Sequence, residues 1–206
     1  MKKVLFAITT TITFCAATSA QEVNLLKNGS FEQISKVAKA SDKYIMARIK
    51  KGWDFGAGPV AKVPTHWIAN AISGKVKLRI ITVGDNGENK EHVAEGKNSL
   101  YMNGPSFHLY NSVGLKPGKY KFSFKYKGSG RITLCFYCYK KDPKTGRGIH
   151  VISRAPMTVM AKPQWQTYTK EMEIGKWQAD IDTCTFALTG SNADFYIDDM
   201  IVCEVK

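Results

Sequence analysis

Beyond Val63 the chain falls into short runs in which apolar and polar residues alternate or apolar residues cluster, with turn-forming residues between them. Alternation at period two marks a strand with one face on a core. Many short strands joined by tight turns are the pattern of an all-β sandwich. The runs predict strands over 23–32, 66–72, 76–83, 99–103, 107–113, 119–127, 131–140, 165–174, 183–189 and 194–205. Asp85-Asn86-Gly87 and Lys116-Pro117-Gly118 supply the φ values that tight turns need, and Gly128-Ser129-Gly130 is expected to close a hairpin. The segment 33–63 departs from this pattern. There Ile34, Val37, Ala38, Ser41 and Ile45 recur near helical spacing, which predicts a short amphipathic helix before Gly52, and Gly58-Pro59 ends any helix.

A length of 206 residues with 44% apolar and 11% aromatic side chains fits one ordinary globular domain and excludes wholesale disorder. The formal net charge of +13 makes an anionic partner or surface worth weighing. Much of it sits in the insertion 33–63, where Lys36, Lys39, Lys43, Arg48, Lys50, Lys51 and Lys62 face only Asp42 and Asp54. At the start of the chain, Lys2 and Lys3 precede an apolar stretch that ends in Thr18, Ser19 and Ala20. This is the layout of a secretory signal peptide over 1–20, cleaved before Gln21, and it is too short to be a transmembrane helix. The mature domain is then 21–206, expected to be secreted, periplasmic or at the cell surface.

Export changes how the cysteines read, because disulfides persist outside the cytosol. Cys135, Cys138, Cys184 and Cys203 lie beyond the signal, and four cysteines allow three connectivities. Cys135 and Cys138 resemble a redox pair on paper. In a strand, however, three residues span about 10 Å, too far for a local disulfide. Cys184 and Cys203 are too far apart in sequence to complete a zinc site simply. Buried thiols or one long-range bridge are the expectation, with the pairing open.

Six short motifs stand in a familiar order. Asn24-Leu25-Leu26-Lys27-Asn28-Gly29-Ser30-Phe31-Glu32 resembles the opening strand of carbohydrate-binding modules of the family 4, 9, 16 and 22 group. Pro64-Thr65-His66-Trp67, Glu95-Gly96-Lys97-Asn98-Ser99-Leu100-Tyr101 and the turn and strand from Leu115 to Phe124 are similar to that group's later motifs. Trp165-Gln166-Thr167-Tyr168 and Phe195-Tyr196-Ile197-Asp198-Asp199-Met200 complete the series. The resemblance implies a galactose-binding-like jelly roll of two antiparallel sheets and a non-catalytic, sugar-binding function. It also implies a structural calcium at Glu32 and Asp198, helped by the carbonyl of Ser30, and Ca²⁺ does favour such hard oxygen ligands. The alternative is that both carboxylates are solvated or paired with lysines.

The motifs do not locate the sugar, so alternation has to. Tyr120, Phe122, Phe124 and Tyr126 share one face of their run, and Lys121 and Lys125 share the other. In the next run Ile132, Leu134, Phe136 and Cys138 read as core, and Arg131, Tyr137 and Tyr139 point away. If the two runs pair through Gly128–Gly130, one outward surface combines Lys121, Lys125, Arg131, Tyr137 and Tyr139. Rings there would stack on pyranose faces while cations pair with carboxylates or sulfates, so an acidic polysaccharide is the expected ligand. The competing expectation is a solvated, lysine-rich sheet face. Trp53 in the insertion is a further candidate platform, whereas Trp67 and Trp165 are expected to be packed.

Other functions are less well served. No nucleophile elbow, His-Glu-x-x-His zinc motif or P-loop is present. His108 and Tyr110 fall on one side of a strand, as a polysaccharide lyase's acid–base pair would, but nothing in sequence completes that constellation. Carboxylate pairs for a hydrolase are scarce. A surface adhesion protein would need an exposed apolar patch. An exported chain is placed away from most nucleic acid despite a pI near 9.5.

Overall fold

The computed structural model describes residues 23–178 and 180–205, and the expected export signal over 1–20 lies outside them. In chain order these residues form β1 (Ile34–Ala38), α1 (Lys43–Lys50), β2 (Trp53–Asp54), β3 (Val60–Pro64), β4 (Trp67–Ser73) and β5 (Val76–Thr82). A 3-10 turn at Lys90–His92 follows, then β6 (Asn98–Leu115), β7 (Gly118–Lys141), β8 (Gly148–Met160), β9 (Gln166–Ile174) and β10 (Thr183–Glu204).

Three strands are far longer than the alternating runs suggest. The predicted pairs 99–103 with 107–113, 119–127 with 131–140, and 183–189 with 194–205 are each two halves of one strand, β6, β7 and β10. These strands fold over midway. Phe122 and Phe136 lie on β7 fourteen residues apart, which would be about 46 Å in a straight strand, yet their ring centroids are 5.4 Å apart. Phe107 of β6 stands opposite Gly190 of β10 but packs on Phe195 at 5.9 Å. The first layer holds β5, the first half of β6, the second half of β10, the first half of β7, and β9. The second holds β4, the second half of β6, the first half of β10, the second half of β7, and β8. Neighbours are antiparallel apart from the two-residue contact of β2 with β5. The architecture is an all-β jelly-roll sandwich, and the inward residues of both layers form one aromatic core around Phe122, Phe136 and Phe186.

Gly128-Ser129-Gly130 is therefore not a hairpin turn, and the two runs it joins do not pair with each other. It is the crease of β7, where the chain passes against the crease of β10. At Gly128 (φ 128°) a Cβ would collide with the carbonyl of Asp194, and at Gly130 (φ 91°) with that of Asn192. The turns at 84–87 and 115–118 form as expected, with Gly87 N donating to Gly84 O at 2.9 Å.

Three further elements differ from the alternation. The segment 23–32 is a series of turns rather than a strand, because its asparagine side chains take up main-chain groups. Asn24 Oδ1 accepts from Leu26 N and Val202 N, while Asn28 bonds both main-chain groups of Gln33. In the insertion, the helical spacing over 34–45 divides between β1, which pairs with β3, and α1, capped by Asp42 Oδ1 accepting from Ile45 N at 2.8 Å. Sparse apolar residues in a basic stretch match both periods, and only Ile45 of α1 is buried. Edge strand β8 escapes the pattern because Pro156 interrupts it; the register is irregular there, opposite Leu134–Phe136.

Gly130→Ala is expected to destabilise the fold by roughly 2 kcal/mol or more, since it adds left-handed strain and a steric collision at the crease. Urea unfolding that leaves the midpoint unchanged would refute the close approach.

Candidate functional site

The sandwich has two outward faces, and their side chains meet different fates. On the first layer the loop over 84–97 folds back across the sheet. His92 stacks on Tyr196 at 4.4 Å with its plane only 3° away, and Tyr196 also meets Tyr101 at 4.9 Å. Lys127 donates to Glu91 O and stands over the Tyr196 ring at 5.3 Å. Lys125, expected to contact sugar, is paired with Glu95 and lies 3.5 Å from Asp199. Lys121 faces Glu171 across the ladder on this same layer. Both lysines are thus on the opposite side of the molecule from Tyr137 and Tyr139, because β7 folds at Gly128–Gly130 instead of turning back beside itself.

Among the described residues the outward face of the second layer is open. Along the first half of β10 its outward residues are Thr185, Ala187 and Thr189, small side chains that make a low floor. Tall side chains lean over this floor from both neighbours: His108 and Tyr110 of β6, and Tyr137 and Tyr139 of β7. Their cover leaves Ala187 fully buried although it points outward. His108 Nδ1 lies 2.9 Å from the Tyr110 hydroxyl and 2.8 Å from that of Tyr137. Tyr110 and Tyr137 rings meet at 5.3 Å. The exposed His150 of β8 extends the cluster, 5.6 Å from Tyr139 and hydrogen-bonded through Nε2 to Ser153 Oγ at 2.9 Å. Burial lowers the His108 pKa, so the ring stays neutral at physiological pH, and burial with the neighbouring Tyr110 hydroxyl holds the Tyr137 phenol protonated.

Of the residues expected to form the sugar site, Tyr137 and Tyr139 come together here. Arg131 shares the face but stands six residues from Tyr137, about 20 Å along the strand. Trp53 is not a surface platform: it is 2% exposed, stacked on Phe55 at 5.9 Å and edge-on to Phe107. Trp67 is packed as expected, on Phe31 and Phe186. Strand alternation alone puts His108 and Tyr110 on one side, whereas nothing local in the sequence points to His150. Their partnership with Tyr137 depends on β10 lying between β6 and β7, which no local pattern reveals.

Glu32 and Asp198 also converge, through the loop they both hold. Asp198 Oδ2 accepts from Ala94 N and Glu95 N at 2.9 Å, and Oδ1 from Asp199 N at 2.7 Å. Glu32 accepts from Lys97 N, Asn98 N and Asn98 Nδ2 at 2.8–3.1 Å. Two carboxylates thereby clasp residues 94–98, Asp198 from a buried position and Glu32 from an exposed one. Asp198 is fully buried, and burial pushes its pKa up to about 6 even against those N–H donors. These are the two carboxylates expected to hold a cation, and among the described residues no group of three or more acidic, histidine or cysteine side chains is placed to hold a metal ion.

No family model matches the chain, and no curated protein matches it. Among solved structures it is similar to the CBM22-1–GH10 modules of Clostridium thermocellum endo-1,4-β-D-xylanase 10B complexed with xylohexaose. The identity there is 18% and the TM-score 0.49, over 68% of this chain and 26% of that one. The enzymatically active domain of bacteriophage CBA120 tailspike protein 4 is similar at 9% identity and a TM-score of 0.48, over 88% and 21%. A family 61 carbohydrate-binding module in complex with β-1,4-galactotriose is similar at 16% and 0.45, over 89% and 99%. The chain thus spans about a quarter of the xylanase and a fifth of the tailspike domain. At these identities the likeness is one of fold.

The low pKa of His108 has a consequence for stability. The unfolded histidine takes up a proton near pH 6.5 while the native one resists it, so its contribution is present above that pH and lost as pH falls. His108→Asn is expected to flatten the loss of stability between pH 7 and pH 5, measured as thermal midpoints. A variant with the wild-type pH profile would show that the ring is not desolvated by the tyrosines.

Proposed function

We propose that the chain is a secreted, non-catalytic carbohydrate-binding module, and that it takes an acidic polysaccharide on the outward face of the second layer. The observation that carries this reading is the open cluster of Tyr110, Tyr137 and Tyr139 with His108 and His150 over the small residues of β10. Ring faces suit the apolar faces of pyranoses, and phenol and imidazole groups can exchange hydrogen bonds with sugar hydroxyls. The basic helix α1 packs against β2 and β4, between the edges of the two layers, and supplies charge for an acidic chain. Among the described residues the exposed large apolar side chains belong to the N-terminal segment, α1, β3, β4 and β8, and none of them is part of the tyrosine and histidine cluster.

A structural calcium belongs to the same reading, held by Glu32, Asp198 and the carbonyl of Ser30. When bound it would supply the positive charge that Asp198 lacks and tie the loop over 94–98 to the last strand.

The double variant Tyr137→Ala, Tyr139→Ala is expected to lose at least about tenfold in affinity for an immobilised polyuronate at physiological salt, with its thermal midpoint close to wild type. Undiminished binding by the folded variant would remove this site. Millimolar calcium is expected to raise the thermal midpoint by several degrees over an EDTA-treated sample. Equal midpoints would remove the calcium.

A further inference from the structure

Cys138 of β7 and Cys184 of β10 stand directly opposite each other in the antiparallel ladder, and their Sγ atoms are 2.9 Å apart. Both side chains are fully buried. Facing residues in antiparallel strands have Cα atoms about 4.5–5.5 Å apart, within the spacing that a disulfide spans without moving the backbone. The other two cysteines are placed elsewhere. Cys135 lies 3.8 Å from the Thr189 hydroxyl, and Cys203 is opposite Lys121 in the other layer.

We infer that Cys138 and Cys184 form a disulfide that bolts β7 to β10 beneath the tyrosine cluster. Only one of the three full connectivities of four cysteines contains this bridge, and its second bond would have to join Cys135 and Cys203 across separate layers, so the ladder supports this bridge alone. The reaction is a two-electron oxidation. Two thiols give up two protons and two electrons as the S–S bond forms, and a disulfide-bearing oxidoreductase or glutathione disulfide is reduced to two thiols. That such an oxidant meets the chain in the cell rests on export, whereas the pairing rests on the ladder alone. Burial raises the pKa of both thiols, so little thiolate exists once the core has closed. The bond therefore closes while β7 and β10 are coming together, not afterwards.

The bridge spans 46 residues of sequence and shares its ladder positions with the binding face. Tyr137 and Tyr139 flank one cysteine, and Thr183 and Thr185 flank the other. It fixes the spacing between the floor and one wall of the proposed site.

The full chain, refolded from denaturant in a glutathione redox buffer, alkylated without reduction and digested, is expected to yield a peptide linking Cys138 to Cys184. Cys135 is expected to be alkylated. A phosphine reductant should lower the thermal midpoint of the wild type by about 10 °C and leave that of Cys184→Ala unchanged. Alkylation of both Cys138 and Cys184, or a peptide joining either to Cys135 or Cys203, would overturn the pairing. That mapping reads the wild type alone, so it stands even if the variant does not fold. Export is judged separately, by whether the N-terminus of the secreted protein is Gln21.

Discussion

The contact on which everything else depends is the meeting of Phe122 and Phe136, two side chains of the same strand, across the core. A strand of 24 residues cannot bury both halves of one face unless it folds on itself. Burying that face is strongly favourable, since each large side chain removed from water contributes about 2 kcal/mol. The fold of β7 in turn forces a crease at the same level in β10, hydrogen-bonded beside it, and in β6, hydrogen-bonded to β10. Glycines at 128 and 130 permit the crease because the carbonyls of β10 occupy the space where side chains would stand.

This constraint decides the chemistry of the two outer faces. Folding sends the lysines before the crease and the tyrosines after it to opposite sides of the sandwich. The lysine side then acquires a lid, the loop over 84–97, whose carboxylates and carbonyls engage Lys125 and Lys127. Glu32 and Asp198 hold the end of that loop through main-chain N–H groups. Among the described residues the tyrosine side has no such cover. Its outward side chains are satisfied by one another through the His108 imidazole, and half-buried aromatic hydroxyls pre-arranged in this way form a rigid surface for a ring-shaped ligand.

The all-β class, the turns at 84–87 and 115–118 and the inward alternation of β7 and β10 were legible in the sequence. Each follows from the short-range rules of side-chain alternation and turn geometry. The identity of Tyr137 and Tyr139 as outward-facing was legible for the same reason. What lies beside them was not, because a glycine-rich tripeptide serves equally as a turn between two strands or a crease within one. Local composition does not distinguish those cases; only the competition for a shared core does. Trp53 illustrates the converse, since a tryptophan in a basic insertion has the composition of a surface loop yet stacks into the core with Phe55.

The sequence by itself determined which residues of the long strands β7 and β10 face inward, because burial of alternate apolar side chains depends only on the period of the strand. The tertiary structure alone decided which outward residues share a face, which cysteines stand opposite each other and which carboxylates clasp one loop. Those relations join positions such as 108 and 137, 138 and 184, or 32 and 98, and they are set by strand order and register, where the free energy belongs to the core as a whole and to no single segment.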